Sequence, residues 1–555
     1  MRLHSVTLWL LAAPLAAQQP RQLTAEDYAR AERFLGANAA PLVTGVAGRP
    51  TWLPDGRFWY RATVPNGSAF FVVEPARRTR EAIFDQTRLA AALAAASGGR
   101  VEGSRLPFQT FELSKDGRSI TVSVQNRRWT CDLQRYTCAP GDSTRAPSNS
   151  SLSPDGRWAA FIRDYNLWAR ELAMGREIQL TTDGVKDFGY ATNNAGWIRS
   201  DSPVLTWSPD SRQIATFQHD GRGVGDMYLV STNVGHPRLD AWKYPLPEDS
   251  VIFRISRVVI DLGQGGQPRV VRFQMPPDQH RSTVSDHVAC SGGTVCDVQW
   301  YPDGSHVAFV SSSRDHKSAW FRVANARTAE VRTLLQERMP TQIGDASLTE
   351  NLWRVLPASN ELIWWSQRDN WIHLYLYDLT TGRLKNRITS GEGNVDDIVR
   401  VDQRTRTIYF MGSGKEPGRD PYFHHLYRIG FDGRGQTLLT PENANHVVSL
   451  SPDGRHFVDT YSTPDTPPVT VLREISGRVL QTLERADISR LLATGWRPPT
   501  PVRMKGRDGR TDIYGLMYTP SNLDSARKYP IINHIYPGPQ SGSVGTRSFS
   551  PARAD

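Results

Sequence analysis

At 555 residues the chain exceeds what one ordinary globular core holds, so it needs several domains or one large repeat architecture. Its 39% hydrophobic and 22% charged residues suit a folded soluble protein, and 44 Gly, 37 Pro and 16 Trp favour turn-rich β-structure over helical bundles. The net charge of +10 comes from scattered arginines with no basic arm and no recognised nucleic-acid module, which argues against nucleic acid as a partner.

The chain opens as a targeting segment. Arg2 and His4 precede the apolar run Val6 to Ala13, and small Ala16 and Ala17 precede polar Gln18-Gln19-Pro20. The run is too short to span a bilayer and no later run is long enough, so residues 1–17 are expected to be a cleaved signal peptide and the protein to be exported, periplasmic or extracellular. Residues 18–48 follow as an N-terminal helical segment. Its helix is expected over Thr24 to Leu35, with Thr24 as cap and Glu26 and Asp27 at the positive end. An Ala/Leu-rich stretch from Thr87 to Ala96 predicts a second helix.

From Trp52 onward one pattern recurs. Trp52-Leu53-Pro54-Asp55-Gly56-Arg57, Leu113-Ser114-Lys115-Asp116-Gly117-Arg118, Leu152-Ser153-Pro154-Asp155-Gly156-Arg157 and Trp207-Ser208-Pro209-Asp210-Ser211-Arg212 each lead into an apolar strand. Trp300-Tyr301-Pro302-Asp303-Gly304 and Leu450-Ser451-Pro452-Asp453-Gly454-Arg455 repeat it, with weaker copies at Leu356 to Asn360 and Val401 to Arg404. Proline fixes φ for a type I turn, the Asp side chain braces it, and glycine closes it, so each copy reads as a hairpin turn between strands. Eight such turns, mostly roughly 40–60 residues apart, match four-stranded blades and predict an all-β, eight-bladed propeller over residues 49–487. Two β-sandwiches are the alternative, but they need no single turn motif at blade spacing. The wide gap between Asp210 and Asp303 is expected to hold an insertion, including Val251 to Val258 and the loop from Pro276 to Ser291.

Four cysteines fall into two close pairs, Cys131 with Cys138 and Cys290 with Cys296. In an exported chain each pair is expected to close a local disulfide; zinc is the alternative, but no C-x-x-C spacing supports it. His373, His424 and His425 lie in aromatic strands and read as packed side chains rather than metal ligands, and Gly221 to Gly225 lacks phosphate-loop spacing. No metal and no cofactor is expected.

After about Asp487 the repeat stops. Trp496-Arg497-Pro498-Pro499 reads as a linker, Thr511 to Tyr518 as an alternating strand, and Lys528-Tyr529-Pro530-Ile531-Ile532-Asn533-His534-Ile535-Tyr536-Pro537-Gly538-Pro539 as a buried strand ending in a loop. The ordered combination of hairpin repeats, "YGLMYTP" and "HIYPGP" resembles the prolyl oligopeptidase family of serine peptidases, in its dipeptidyl peptidase IV branch. The resemblance implies peptide substrates, a substrate-gating propeller, and an α/β-hydrolase domain beginning at 488–555. In that family a G-x-S-x-G elbow carries the nucleophile; none occurs here, and Gly542-Ser543-Val544-Gly545 is one residue too tight. The expectation is therefore an incomplete hydrolase domain without its catalytic Ser, Asp and His, inactive alone, with a non-catalytic peptide- or protein-binding propeller as the alternative. By resemblance Tyr536 is the oxyanion-hole candidate. The segment matching the family's amine-binding glutamate pair, Ala195 to Asp201, has no such pair, leaving Asp201 as the candidate for the peptide amino terminus.

Overall fold

The computed structural model describes residues 22–125, 127–141, 146–192, 201–263, 267–279, 297–343, 352–535 and 547–552. Eight antiparallel sheets follow one another along the chain, seven of them built from four consecutive strands and the fourth from six strands interrupted by a hairpin. Blade 1 runs from Thr51–Trp52 to Thr79–Ala82, blade 2 from Glu112–Leu113 to Thr137–Pro140, and blade 3 from Ser151–Leu152 to Glu177–Gln179. Blade 4 runs from Phe188–Tyr190 to Asp278–Gln279, and blade 5 from Val298–Trp300 to Val331–Arg338. Blade 6 runs from Arg354–Leu356 to Leu384–Arg387, blade 7 from Asn394–Asp402 to Thr437–Leu438, and blade 8 from Asn445–Leu450 to Val479–Arg485. The architecture is an eight-bladed β-propeller with few helices.

The eight recurring turns fall once per blade, each joining the first strand to the second except in blade 4, where Phe188–Tyr190 comes first and the turn joins Thr206–Trp207 to Gln213–Asp220. In blade 3 the Ser153 carbonyl accepts from Gly156 N at 2.9 Å, and Gly156 takes φ +70°, where a Cβ would be strained. The Ser153 hydroxyl donates to Asp155 Oδ1 at 2.6 Å and accepts from Trp158 N at 3.0 Å, while Asp155 Oδ1 also accepts from Arg157 N at 3.0 Å. The same serine and aspartate contacts recur at Ser114 and Asp116, Ser208 and Asp210, and Ser451 and Asp453. The Ser114 hydroxyl bond holds the Asp116 carboxyl below the usual range. The weaker copy at Leu356 differs in kind: Pro357–Ser359 forms a 3-10 turn closed by Asn360 at φ 53°. The tryptophans that enter three of the motifs stitch the ring. Trp52 Nε1 donates to Ser449 Oγ of blade 8, Trp207 Nε1 to the Ser151 carbonyl of blade 3, and Trp300 Nε1 to the Thr206 carbonyl of blade 4.

The ring closes without a strand shared between its first and last blades. Phe58, Tyr60, Ala62 and Val73 of blade 1 pack with Val458, Leu472 and Leu483 of blade 8. Glu484 accepts from the Tyr60 hydroxyl at 2.9 Å and pairs with Arg80, which also bonds the Tyr60 oxygen. Before blade 1, Thr44 exchanges backbone hydrogen bonds with Asp487 at 3.1 and 2.8 Å. The helix Ala25–Glu32 is capped by Thr24 as expected, with Asp27 completing a capping box, and the second helix is Gln86–Ser97 capped by Asp85.

Two expectations are corrected. Val251 to Val258 is not an insertion: Arg254–Asp261 is a central strand of blade 4, paired along its length with Gln213–Asp220. The insertion is instead the hairpin Asp226–Ser231 and Arg238–Lys243, which stands as its own two-stranded sheet. The chain from Tyr529 to Ile535 is not a buried strand; it pairs with no strand among the described residues, and Ile531 and Ile532 are 94% and 91% exposed. A strand needs a neighbour to complete its ladder, and an apolar run alone does not supply one. Thr500–Lys505 and Asp512–Met517 do pair, as a hairpin.

Because Phe58 is fully buried at the closure between blades 1 and 8, Phe58→Ala is expected to lower unfolding free energy by about 3–5 kcal/mol in urea titration. Leu152→Ala, at an exposed position of the same ring, is expected to change it by less than about 0.5 kcal/mol.

Candidate functional site

The end of the chain returns to one face of the ring. In blades 7 and 8 the ends marked by the paired residues Ser413 and His424, and Asn445 and Ser462, lie on that face. There Arg547, 2% exposed, donates from Nε to Asp420 Oδ2 at 2.8 Å and forms a second, shorter bond from its terminal nitrogen. Asn445 Nδ2 donates to Ser548 Oγ at 2.8 Å, and Phe549 N donates to Ser462 Oγ at 3.0 Å. The Phe549 ring lies 5.7 Å from that of Trp496, and both join a cluster with Ala39, Val43 and Leu491. Tyr422 of blade 7 meets Tyr514 of the terminal hairpin edge-on at 5.9 Å. The buried guanidinium is neutralised and hydrogen-bonded, the condition under which a charge can be buried.

Beneath this docking face lies a charge lattice. His446 Nδ1 is 2.9 Å from Asp459 Oδ1 and its Nε2 is 3.1 Å from the Glu442 carbonyl. Arg473 bonds Asp459 at 2.9 Å and Glu442 at 2.7 Å. Glu442, His446 and Asp459 have the donor types of a metal site, but the Arg473 guanidinium already supplies the cation that the two carboxylates require, so the group fits a structural role. His425 is buried with Nδ1 3.0 Å from the Thr440 carbonyl, and burial lowers it to about 4. His373 is likewise buried, between Thr389 and the Gly391 carbonyl.

A second polar group sits beside the mouth of blade 7. Burial pushes Asp396 up to about 7, against the Ser413 hydroxyl that donates to its Oδ1 at 3.0 Å and the charge of Lys415. Among the described residues its Oδ2 is buried without a hydrogen-bond partner, 3.8 Å from His424 Nε2, and Lys415 Nζ is buried without one as well. Burial lowers Lys415 correspondingly.

The sequence-derived candidates do not converge. Asp201 is exposed, on the connection leading into Thr206–Trp207 of blade 4. Tyr536, Cys290 and Cys296 lie outside the described residues, as does the stretch Gly542 to Gly545. Cys131 and Cys138 are joined by a disulfide across directly opposed positions of neighbouring strands in blade 2. Asp420, Asn445, Ser462 and Arg547, which hold the terminal segment, escaped sequence reading. A lone Asp in a Pro/Gly loop and a lone Arg 127 positions later carry no local signature.

The fold and the docking face can be set against known proteins. Residues 114–468 match the family model described as the dipeptidyl peptidase IV (DPP IV) N-terminal region. The chain belongs to the dipeptidyl peptidase IV family. Among curated relatives, the probable dipeptidyl-aminopeptidase B of Emericella nidulans is 24% identical over 454 residues, covering 76% of this chain and 48% of that protein. Dipeptidyl peptidase 8 of Mus musculus is 22% identical over 469 residues, covering 71% and 51%. The chain thus spans about half the length of the curated relatives it matches. The crystal structure of Porphyromonas gingivalis dipeptidyl peptidase 4 superposes with a TM-score of 0.64 at 20% identity, covering 91% of this chain and 69% of that one. The family's propeller region accounts for the ring described above.

A carboxyl whose folded value is raised stabilises the fold only while protonated. Below the unfolded value of about 4 both states are protonated; as pH rises, the unfolded carboxyl ionises first, and stability is lost until the pKa of about 7 is passed. Asp396→Asn removes this loss. Calorimetry is expected to show the variant gaining in Tm over wild type as pH rises through that window, with the gain levelling above it.

Proposed function

We propose that this chain is the substrate-gating propeller of a serine-type peptidase acting on peptides. One observation carries the reading: the segment beyond blade 8 doubles back onto a single face of the ring through Arg547 and Asp420, Ser548 and Asn445, and Phe549 and Ser462. A peptidase domain begun in that segment stands over the mouth of the propeller channel, which admits extended peptides and turns folded proteins away. The family membership supports peptide substrates for the whole protein. Tyr536 is the oxyanion donor in this reading, and Asp201, exposed at the entry to blade 4, is the candidate for the peptide amino end.

The reading includes export to the periplasm or the cell exterior, supported by the apolar stretch Val6 to Ala13 and by the Cys131–Cys138 disulfide. It also holds that the 555 residues do not hydrolyse peptides by themselves, since they contain no G-x-S-x-G elbow to activate a serine.

The purified chain is expected to bind extended peptides in calorimetric titration, to release no chromophore from dipeptidyl nitroanilides, and to escape labelling by a fluorophosphonate. Stoichiometric labelling of a serine contradicts the inactivity, and absence of any peptide binding contradicts the gating role.

A further inference from the structure

We infer that the ring is hinged at the junction of blades 2 and 3, and that it opens there rather than at the closure between blades 8 and 1. Among the described residues, every other neighbouring pair of blades shares a buried apolar cluster. Blades 1 and 2 share the one around Trp59 and Phe111, blades 3 and 4 the one around Leu167 and Ile260, and blades 4 and 5 the one around Val259 and Phe309. A single large cluster runs through blades 5, 6 and 7; Phe457 joins blade 8 to blade 7, and Phe58 joins it to blade 1. No such cluster spans blades 2 and 3.

The reason is written in two strands. In Ser119–Val124 of blade 2 the alternate residues Ile120, Val122 and Val124 enter the cluster shared with blade 1. By strand alternation Ser119, Thr121 and Ser123 form the opposite face, toward blade 3. Ser123 is exposed, and the Thr121 hydroxyl lies 3.2 Å from that of Thr130 in its own blade. In blade 3 the residues that pack toward blade 4 are Ala160, Leu167 and Ala169. The other face carries Ala159, Phe161 and Trp168, whose rings are covered by the guanidiniums of Arg163 and Arg170, both paired with Glu177 of the same blade; none of these residues joins a buried apolar cluster with blade 2.

Parting an apolar seam exposes oil to water at a cost proportional to its area. Parting a seam lined by hydroxyls on one side, and on the other by two rings that guanidiniums of their own blade already cover, exposes less apolar area and lets water satisfy the polar groups. The closure between blades 8 and 1 has the apolar cluster, the Tyr60, Arg80 and Glu484 network and the Thr44 to Asp487 bridge. Although it joins the two ends of the repeat, it is the firmer of the two junctions. The hinge requires only the ring, and it stands whether or not peptides are what the channel passes.

Pairs of spin labels on exposed outer strands report each junction: Ala139→Cys with Gln179→Cys across blades 2 and 3, and Glu81→Cys with Thr482→Cys across blades 1 and 8, both in a Cys290→Ser, Cys296→Ser background. Pulsed dipolar spectroscopy of the whole chain is expected to show a second population at longer distance for the 139/179 pair and one narrow population for 81/482. Adding Ser119→Val, Thr121→Val and Ser123→Val is expected to abolish the longer population. A 139/179 distribution as narrow as that of 81/482, or a broader one at 81/482, overturns the hinge. So does a longer population that persists in a triple variant melting at or above the wild-type temperature.

Discussion

Face-to-face packing of one sheet on the next is the constraint on which the molecule depends. A four-stranded blade presents two faces, and a ring of eight leaves neither face of any blade free to be ignored. That demand explains the composition of the second strands, which in blades 4 to 7 are buried on both sides. Glu361–Ser366 of blade 6 is buried at every position, and its Trp364 reaches out to bond Glu337 of blade 5. It also explains the tryptophans at the ends of the first strands, which have the apolar body to fill the wedge between blades and an indole N–H to satisfy a neighbour's oxygen.

The same constraint makes the closure informative. Nothing covalent and no common strand ties blade 8 to blade 1, so the two must be held by side chains and by the short backbone bridge on either side of the ring. Several buried charges of the ring are matched where they stand. Glu361, held down to about 2 by Arg406 and Lys385 despite its burial, and Arg257, held between Asp278 and Asp297, are examples in blades 6 and 4. Asp396 and Lys415 are less well matched, and they stand on the face where the terminal segment docks.

Much of this was legible before any coordinates. The turn motif is local chemistry, with Pro, Asp and Gly each doing what its own backbone or side chain requires, so eight copies could be counted and each proved to mark one blade. The cap at Thr24 was legible for the same reason. What stayed hidden depends on partners distant in sequence. Arg254–Asp261 reads as any apolar strand until Gln213–Asp220 lies beside it. Tyr529 to Ile535 reads as a strand until no neighbour pairs with it. Asp420 and Arg547 gain meaning only by meeting across the ring's face. The polar face of Ser119–Val124 was in plain view as an alternation, but which blade it faced was not.

Native-state hydrogen exchange of the intact chain tests the account most directly, because a firm closure between blades 8 and 1 ties the unfolding of both to that of the middle of the ring. The central strands Phe58–Val64 of blade 1 and His456–Thr463 of blade 8 should exchange through the same opening, with the same denaturant dependence, as Glu361–Ser366 and Thr407–Ser413 in the middle of the ring. Exchange of blade 1 or blade 8 through a separate opening of lower free energy would mean that the ring is not closed by the contacts described, and would contradict the account.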